Sequence, residues 1–204
     1  MLRVGVTGPI AGGKSTVSRL LAAEGFPVVD ADRVAHELYV PGSALVAALA
    51  REFGPDILDA DGGIDRKALG AIVFADPERL AVLNRLVHPV LHTELERRLD
   101  ALADAGHRVA VLEAALLLTW DARALVDFVV GVDAPRETRR ARLVASGRAE
   151  QANRLDAQVE PDAFQDRVDL LLHNDGPLSH LEKLVHSLAA TLRRRAAAGQ
   201  NPTS

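Results

Sequence analysis

The chain has 204 residues, of which 48% are apolar and 25% charged, with a formal net charge of −4 and no cysteine. That length allows one α/β domain with an insertion, burying roughly 70% of the unfolded surface. The charge offers no general basic field for nucleic acid, and the lack of cysteine excludes disulfides and cysteine-ligated metal or redox sites while suiting a reducing compartment. No run approaches the roughly 18 apolar residues of a membrane span, and Met1 leads straight into a predicted strand. The expectation is therefore a cytoplasmic protein without membrane attachment, and no feature points to a protein partner.

The first predicted strand, Leu2 to Thr7, runs into Gly8-Pro9-Ile10-Ala11-Gly12-Gly13-Lys14-Ser15-Thr16, where a helix begins. The spacing is G-x-x-x-x-G-K-[ST] between a strand and a helix. Glycines let such a backbone curl so that its N–H groups point inward, where they hold phosphate oxygens. Gly8, Ala11, Gly12, Gly13, Lys14, Ser15 and Thr16 are the expected ATP-binding residues. Lys14 reaches the β and γ phosphates, Ser15 offers its hydroxyl to Mg2+, and the helix start aims its positive dipole end at the same anions. Basic-residue usage agrees: of 24 Lys and Arg only three are Lys, at 14, 67 and 183. One of the three stands where a compact ammonium serves better than a planar guanidinium.

A second predicted strand, Pro27 to Val29, leads into Asp30-Ala31-Asp32. Alternate residues of an extended chain share a side, which places both carboxylates together at the strand's carboxyl end, where open parallel sheets bind ligands. Phosphoryl transfer to an alcohol needs a carboxylate that orients the hydroxyl and takes its proton. Asp32 is the candidate; the same residue is also placed to cap a helix over Arg33 to Tyr39. Residues from about 33 to 105 form an insert too long for a simple crossover. They predict helices over Ser43–Phe53, Arg66–Phe74, Pro77–Val87 and Val90–Ala105, with an Asp59-Ala60-Asp61-Gly62-Gly63 turn before the second.

The third strand, Arg108 to Leu112, delivers Glu113, which either touches Mg2+, directly or through water, or only bonds a loop. After the fourth, Phe128 to Val132, an Arg-bearing helix opens at Pro135, and residues 136–158 are the expected lid. Arg142 and Arg148 are alternative candidates to close over phosphate. The fifth, Val168 to Leu172, is followed by His173 to Gly176, whose Asn174 is a further ATP-binding candidate. Residues 191–204 are expected to be a flexible tail. Five β-rich segments separated by helical patterns predict a parallel sheet covered on both faces, its core drawn from 1–32, 106–135 and 159–190 of a single domain over 1–190.

Collected together, these residues resemble the dephospho-CoA kinase family over roughly Leu2 to Leu184. Val29-Asp30-Ala31-Asp32 with Ala35 resembles its Asp-Ala-Asp signature. Gly62-Gly63-Ile64-Asp65-Arg66 with Leu69, Val73-Phe74-Ala75-Asp76-Pro77, Leu83-Asn84 and His88-Pro89 resemble its coenzyme-A-side lobe in order and spacing. Leu116-Leu117, Arg142, Arg154 and Gln158 also fall where the family places such residues.

The resemblance implies an α/β P-loop NTPase three-layer fold with a five-stranded parallel sheet, a helical substrate-binding insert and a small lid. It further implies ATP and Mg2+ as cofactors, and phosphorylation of the ribose 3′-hydroxyl of dephospho-CoA, the last step of coenzyme A synthesis. Asp32 would be the base, Asp65, Arg66 and His88 would lie on the substrate side, and His88 would occupy a loop. This chain departs from the family at Ala115-Leu116-Leu117-Leu118-Thr119, which lacks the usual Pro and Glu, at Pro9 and Ala11, where Gly is common, and at a shorter flap containing Ser146-Gly147. Other small-molecule P-loop kinases share the loop but not the insert series. A GTP switch would carry Asp-x-x-Gly after the third strand and Asn-Lys-x-Asp later, and neither occurs.

Overall fold

Five strands, β1 (Leu2–Thr7), β2 (Val28–Asp30), β3 (Val109–Glu113), β4 (Phe128–Asp133) and β5 (Leu170–His173), form one parallel sheet in the order β2-β3-β1-β4-β5. The structure is a computed structural model describing residues 1–118, 121–148 and 166–198. All five expected strands are present. The central ones are apolar without alternation: the last four residues of β1, the first four of β3 and the first five of β4 are buried. A strand covered on both faces requires that pattern, whereas the edge strands β2 and β5 each bury one residue.

Helices α1 (Lys14–Ala23) and α7 (Leu178–Ala198) pack on each other and on the sheet. Their shared core joins Val17 and Leu21 of α1 to Val4, Val6, Val130 and Val132 of the strands and to Leu181, Val185, Leu188 and Leu192 of α7. Each such side chain contributes roughly 1.5–3 kcal/mol on burial. Val17 and Leu21, fully buried, thereby pin α1 and the loop that precedes it. At Gly5 an added Cβ would lie 2.4 Å from Leu117 Cδ2, so glycine lets the loop after β3 pack down on β1.

The chain divides into two compact units, one of Met1–Asp30 with Arg98 to the chain end, the other of Ala31–Arg97. The second contains α2 (Ala31–Glu37), α3 (Ala44–Phe53), a 3-10 turn (Pro55–Ile57), α4 (Arg66–Val73) and most of α5 (Pro77–Asp104). Its helix starts are written in the sequence. Ser43 accepts from Val46 N at 3.2 Å, Asp65 from Lys67 N at 2.9 Å and Ala68 N at 3.1 Å, and Asp76 from Glu78 N at 2.8 Å with Pro77 opening α5. Asp59 Oδ1 accepts from Asp61 N and Gly63 N and closes the Asp-Gly turn. Arg79 covers the Phe53 ring at 4.7 Å while bonding Glu52.

Three expectations need correction. The helices expected over Pro77–Val87 and Val90–Ala105 are one, because α5 runs unbroken through Pro89; His88 therefore lies within a helix and not in a loop. The helix after β2 begins at Ala31, so Asp32 sits in its first turn; it is neither a cap preceding Arg33 nor the alternate residue of an extended chain that would share a side with Asp30. The expected flexible tail from 191 is, as far as Ala198, the last turns of α7. Leu192 and Ala196 are buried there, and the Arg193 and Arg195 guanidiniums lie over the Phe26 and Phe128 rings at 5.1 and 4.4 Å. Among the described residues no helix is long and apolar enough to cross a membrane.

Candidate active site

Between β1 and α1 the backbone turns through Gly8 (φ 151), Ala11 (φ 57) and Gly13 (φ 114). An added Cβ at Gly8 would lie 2.1 Å from the Val132 carbonyl oxygen, and one at Gly13 2.1 Å from Asn174 Nδ2, so a side chain at Gly8 would strike backbone and one at Gly13 would have to displace the Asn174 amide. Helix α1 starts on Gly13 with no side chain capping it. A helix start without a capping oxygen keeps its amide dipoles directed at whatever anion stands before them. Gly12 N donates to Pro9 O at 3.1 Å, and Thr16 N and Val17 N both donate to Gly13 O at 3.0 Å, which fixes the turn from inside.

Lys14 folds over this loop, its Nζ donating to Gly8 O at 2.8 Å and Pro9 O at 3.0 Å. Ser15 Oγ donates to Glu113 Oε1 at 2.6 Å. The β-ladder sets that meeting: Glu113 is in register with Val6 on one side and Asp30 on the other, so the carboxyl ends of three strands converge at one height. A hydroxyl and a carboxylate make a hard oxygen donor set. Among the described residues no group of three or more His, Cys, Asp or Glu could hold a metal. The pair fits Mg2+, which keeps waters and phosphate oxygens instead of an all-protein cage.

Helix α6 (Arg136–Ala145) lies on the loop's outer side. Leu143 is fully buried with Ile10 and Ala11 packed on it, and buried Arg139 donates to Ala134 O at 3.0 Å. Arg142 NH2 donates to Asn174 O at 2.9 Å and Oδ1 at 3.2 Å, and NH1 approaches Ala11 O and Gly12 O at 3.4 Å. Arg148 is exposed and donates to Ser146 Oγ at 3.1 Å.

A family model described as dephospho-CoA kinase matches residues 2–180 of this chain. It belongs to the dephospho-CoA kinase family. Curated dephospho-CoA kinases of Streptomyces avermitilis and Corynebacterium glutamicum are 44% and 40% identical to it, over 96% of this chain and 96% and 99% of their own. A solved structure titled TT1252 from Thermus thermophilus is 35% identical with a TM-score of 0.76, covering 95% of this chain and 97% of its own. A shikimate kinase from Acinetobacter baumannii, at 14% identity, TM-score 0.53 and coverage of 99% and 96%, shares the fold. Dephospho-CoA kinases are transferases that use ATP to phosphorylate dephospho-CoA, the final step of coenzyme A biosynthesis.

The structure brings Gly8, Ala11, Gly12, Gly13, Lys14, Ser15, Thr16, Glu113, Arg142 and Asn174 together around the loop between β1 and α1. It does not bring Arg148 there by any described bond. Asp65 spends its Oδ1 capping α4, and Arg66 stands exposed at that helix's start. Burial pushes the Tyr39 phenol up, while the positive charge of Arg66 pulls it the other way, so these two lie within electrostatic reach. Arg154, Gln158 and Thr119 fall outside the described residues. Sequence reasoning listed Asn174 as a ligand of ATP but missed that its side chain bonds protein: it is 6% exposed and donates to Gly12 O at 2.9 Å.

Proposed function

We propose that this chain transfers the γ-phosphoryl group of ATP to the ribose 3′-hydroxyl of dephospho-CoA, with Asp32 receiving the hydroxyl proton. The observation that carries the reading is the meeting of Lys14, Ser15 and Glu113 at the uncapped start of α1. The loop amides and Lys14 bind the triphosphate, and Lys14 exchanges its bonds to Gly8 O and Pro9 O for phosphate oxygens. Ser15 and Glu113 would hold Mg2+, which neutralises charge on the phosphates when bound. The acceptor oxygen forms its bond to the γ-phosphorus as the bond to the β,γ-bridging oxygen breaks, and ADP leaves. Asp32 suits the base because it stands in the first turn of α2, which begins directly after Asp30, the residue that ends β2 in register with Glu113. Exposed Arg66 suits the acceptor's diphosphate, with Asp65 and His88 as further contacts, and Arg148 suits closure over the triphosphate. A cytoplasmic setting fits the cysteine-free sequence.

Incubation with ATP, Mg2+ and dephospho-CoA, with adenosine and gluconate as competing acceptors, tests this by the mass of the product. Coenzyme A is the expected product; phosphorylated adenosine or gluconate in its place overturns the acceptor assignment. Asp32→Asn is expected to bind ATP normally and lose roughly 10²–10⁴-fold in turnover. A near-wild-type rate removes Asp32 as the base.

A further inference from the structure

A loop that turns its amides toward an anion turns carbonyl oxygens the other way, and buried carbonyls need donors. Two side chains meet that need here, from elements far apart in sequence. Asn174, in the turn after β5, donates Nδ2 to Gly12 O at 2.9 Å, and Arg142, on α6, approaches Ala11 O and Gly12 O at 3.4 Å. The two also hold each other, since Arg142 NH2 donates to Asn174 Oδ1 at 3.2 Å and O at 2.9 Å. That sets the amide's orientation: reversed, its NH2 would face a guanidinium and its oxygen a carbonyl. Asn174 N in turn donates to Asp133 O at 2.7 Å, which ties the pair to the end of β4.

We infer that Asn174 and Arg142 form a brace on the carbonyl side of the phosphate loop and act as positioning residues for triphosphate binding. Asn174 has both ends of its side chain engaged by protein and is 6% exposed, so its effect on ATP runs through the loop. The Arg142 charge beside the outer carbonyls also polarises those peptides and makes the amide face more attractive to anions. Ala11, the one non-glycine with positive φ among the described residues, lies within the braced stretch and packs on Leu143. The brace thus holds a backbone shape that alanine alone disfavours.

The inference rests on the loop being the triphosphate site, and the test separates the two ideas. Binding of inorganic tripolyphosphate and of adenosine is measured for the full chain and for Asn174→Ala and Arg142→Lys, the latter keeping the charge but losing the fork. Asn174→Ala removes the shorter of the two bonds to Gly12 O, 2.9 Å against 3.4 Å from Arg142, together with the amide oxygen that holds Arg142, and should lose about tenfold in tripolyphosphate affinity. Adenosine affinity should stay within about twofold, because it carries no phosphate for the loop to hold. Arg142→Lys should show the same phosphate-selective loss, and the double variant should lose less than the product of the two, since both act on one loop. Unchanged tripolyphosphate binding in both variants overturns the brace, as does an equal loss for adenosine, which would place the pair at the base. Failure of the unmodified protein to bind tripolyphosphate overturns the phosphate-loop reading itself.

Discussion

Two glycine replacements separate the cost of backbone strain from the cost of disturbing Asn174. Gly13 and Gly25 both have positive φ, 114 and 89, so alanine at either is strained by roughly 1–2 kcal/mol. Around Gly25 an added Cβ meets nothing within 4 Å, whereas at Gly13 it lands 2.1 Å from Asn174 Nδ2. That amide is not a loose side-chain end, being held by Gly12 O and Arg142. To regain ordinary contact it must move by about 1.3 Å, which breaks its bond to Gly12 O, leaves that buried carbonyl only the 3.4 Å approach of Arg142, and costs about 1–3 kcal/mol more. At roughly 2–4 °C per kcal/mol for a chain of this size, Gly25→Ala should lower the thermal midpoint by about 2–8 °C and Gly13→Ala by about 4–20 °C. Calorimetry measures the midpoints, and steady-state kinetics should show KM for ATP unchanged in Gly25→Ala and raised about tenfold or more in Gly13→Ala. Equal midpoints together with equal KM would refute the reasoning, because the Asn174 contact would then cost nothing.

Lys14→Ala should leave the thermal midpoint within a few degrees of wild type and lower turnover by on the order of a hundredfold or more, as loss of one preorganised cationic donor does; substantial residual transfer counts against the loop. Truncation after Arg194 removes the Arg195 guanidinium from the Phe128 ring and the buried Ala196, and should cost about 1–3 kcal/mol in denaturant unfolding. No loss would show that the end of α7 is not docked. Glu24 accepts from His186 at 2.7 Å and from Arg193 at 3.0 Å, and these bonds, His186 first, hold its carboxyl below its ordinary value of 4.5. A depressed carboxyl stabilises the fold above the unfolded value and ceases to as pH falls through the folded one. The midpoint difference between wild type and Glu24→Gln should therefore be full at neutral pH and shrink below about pH 4.5, and a difference that grows in acid would reverse the assignment.

The strands were legible because each is a short apolar run with glycine, proline or an acidic residue at or within three positions of its ends, and tertiary context had only to set their order. Helix α5 shows where a local rule lost. Proline inside a helix costs about 3 kcal/mol, which argues for a break at Pro89. Yet Val87, Leu91, Leu95 and Leu99 repeat every four residues through the proline and are all buried, at roughly 1.5–3 kcal/mol each. The stripe outweighs the missing N–H, and Thr93 Oγ1 adds a bond to Pro89 O at 3.0 Å. The arginines near the end of α7 failed differently. As local charge they signal a solvated end, and their partners Phe26 and Phe128 are more than sixty positions away in the chain.

For the site, the loop and Glu113 were readable because their chemistry is carried by spacing: an amide-lined turn needs glycine where a Cβ would strike backbone, and a strand's last residue faces the ligand edge. The brace had no such signature, since Asn174 and Arg142 are 32 positions apart and 131 and 162 from the loop atoms they touch. One physical demand could still have pointed to them. Any turn that commits its N–H groups to a ligand must find donors for the carbonyls on its far side. Here those donors come from what lies beyond one of the two strands that flank β1. That is β4, whose Val132 carbonyl already crowds Gly8, and the segments that follow it are α6 and the turn after β5, where Arg142 and Asn174 reside.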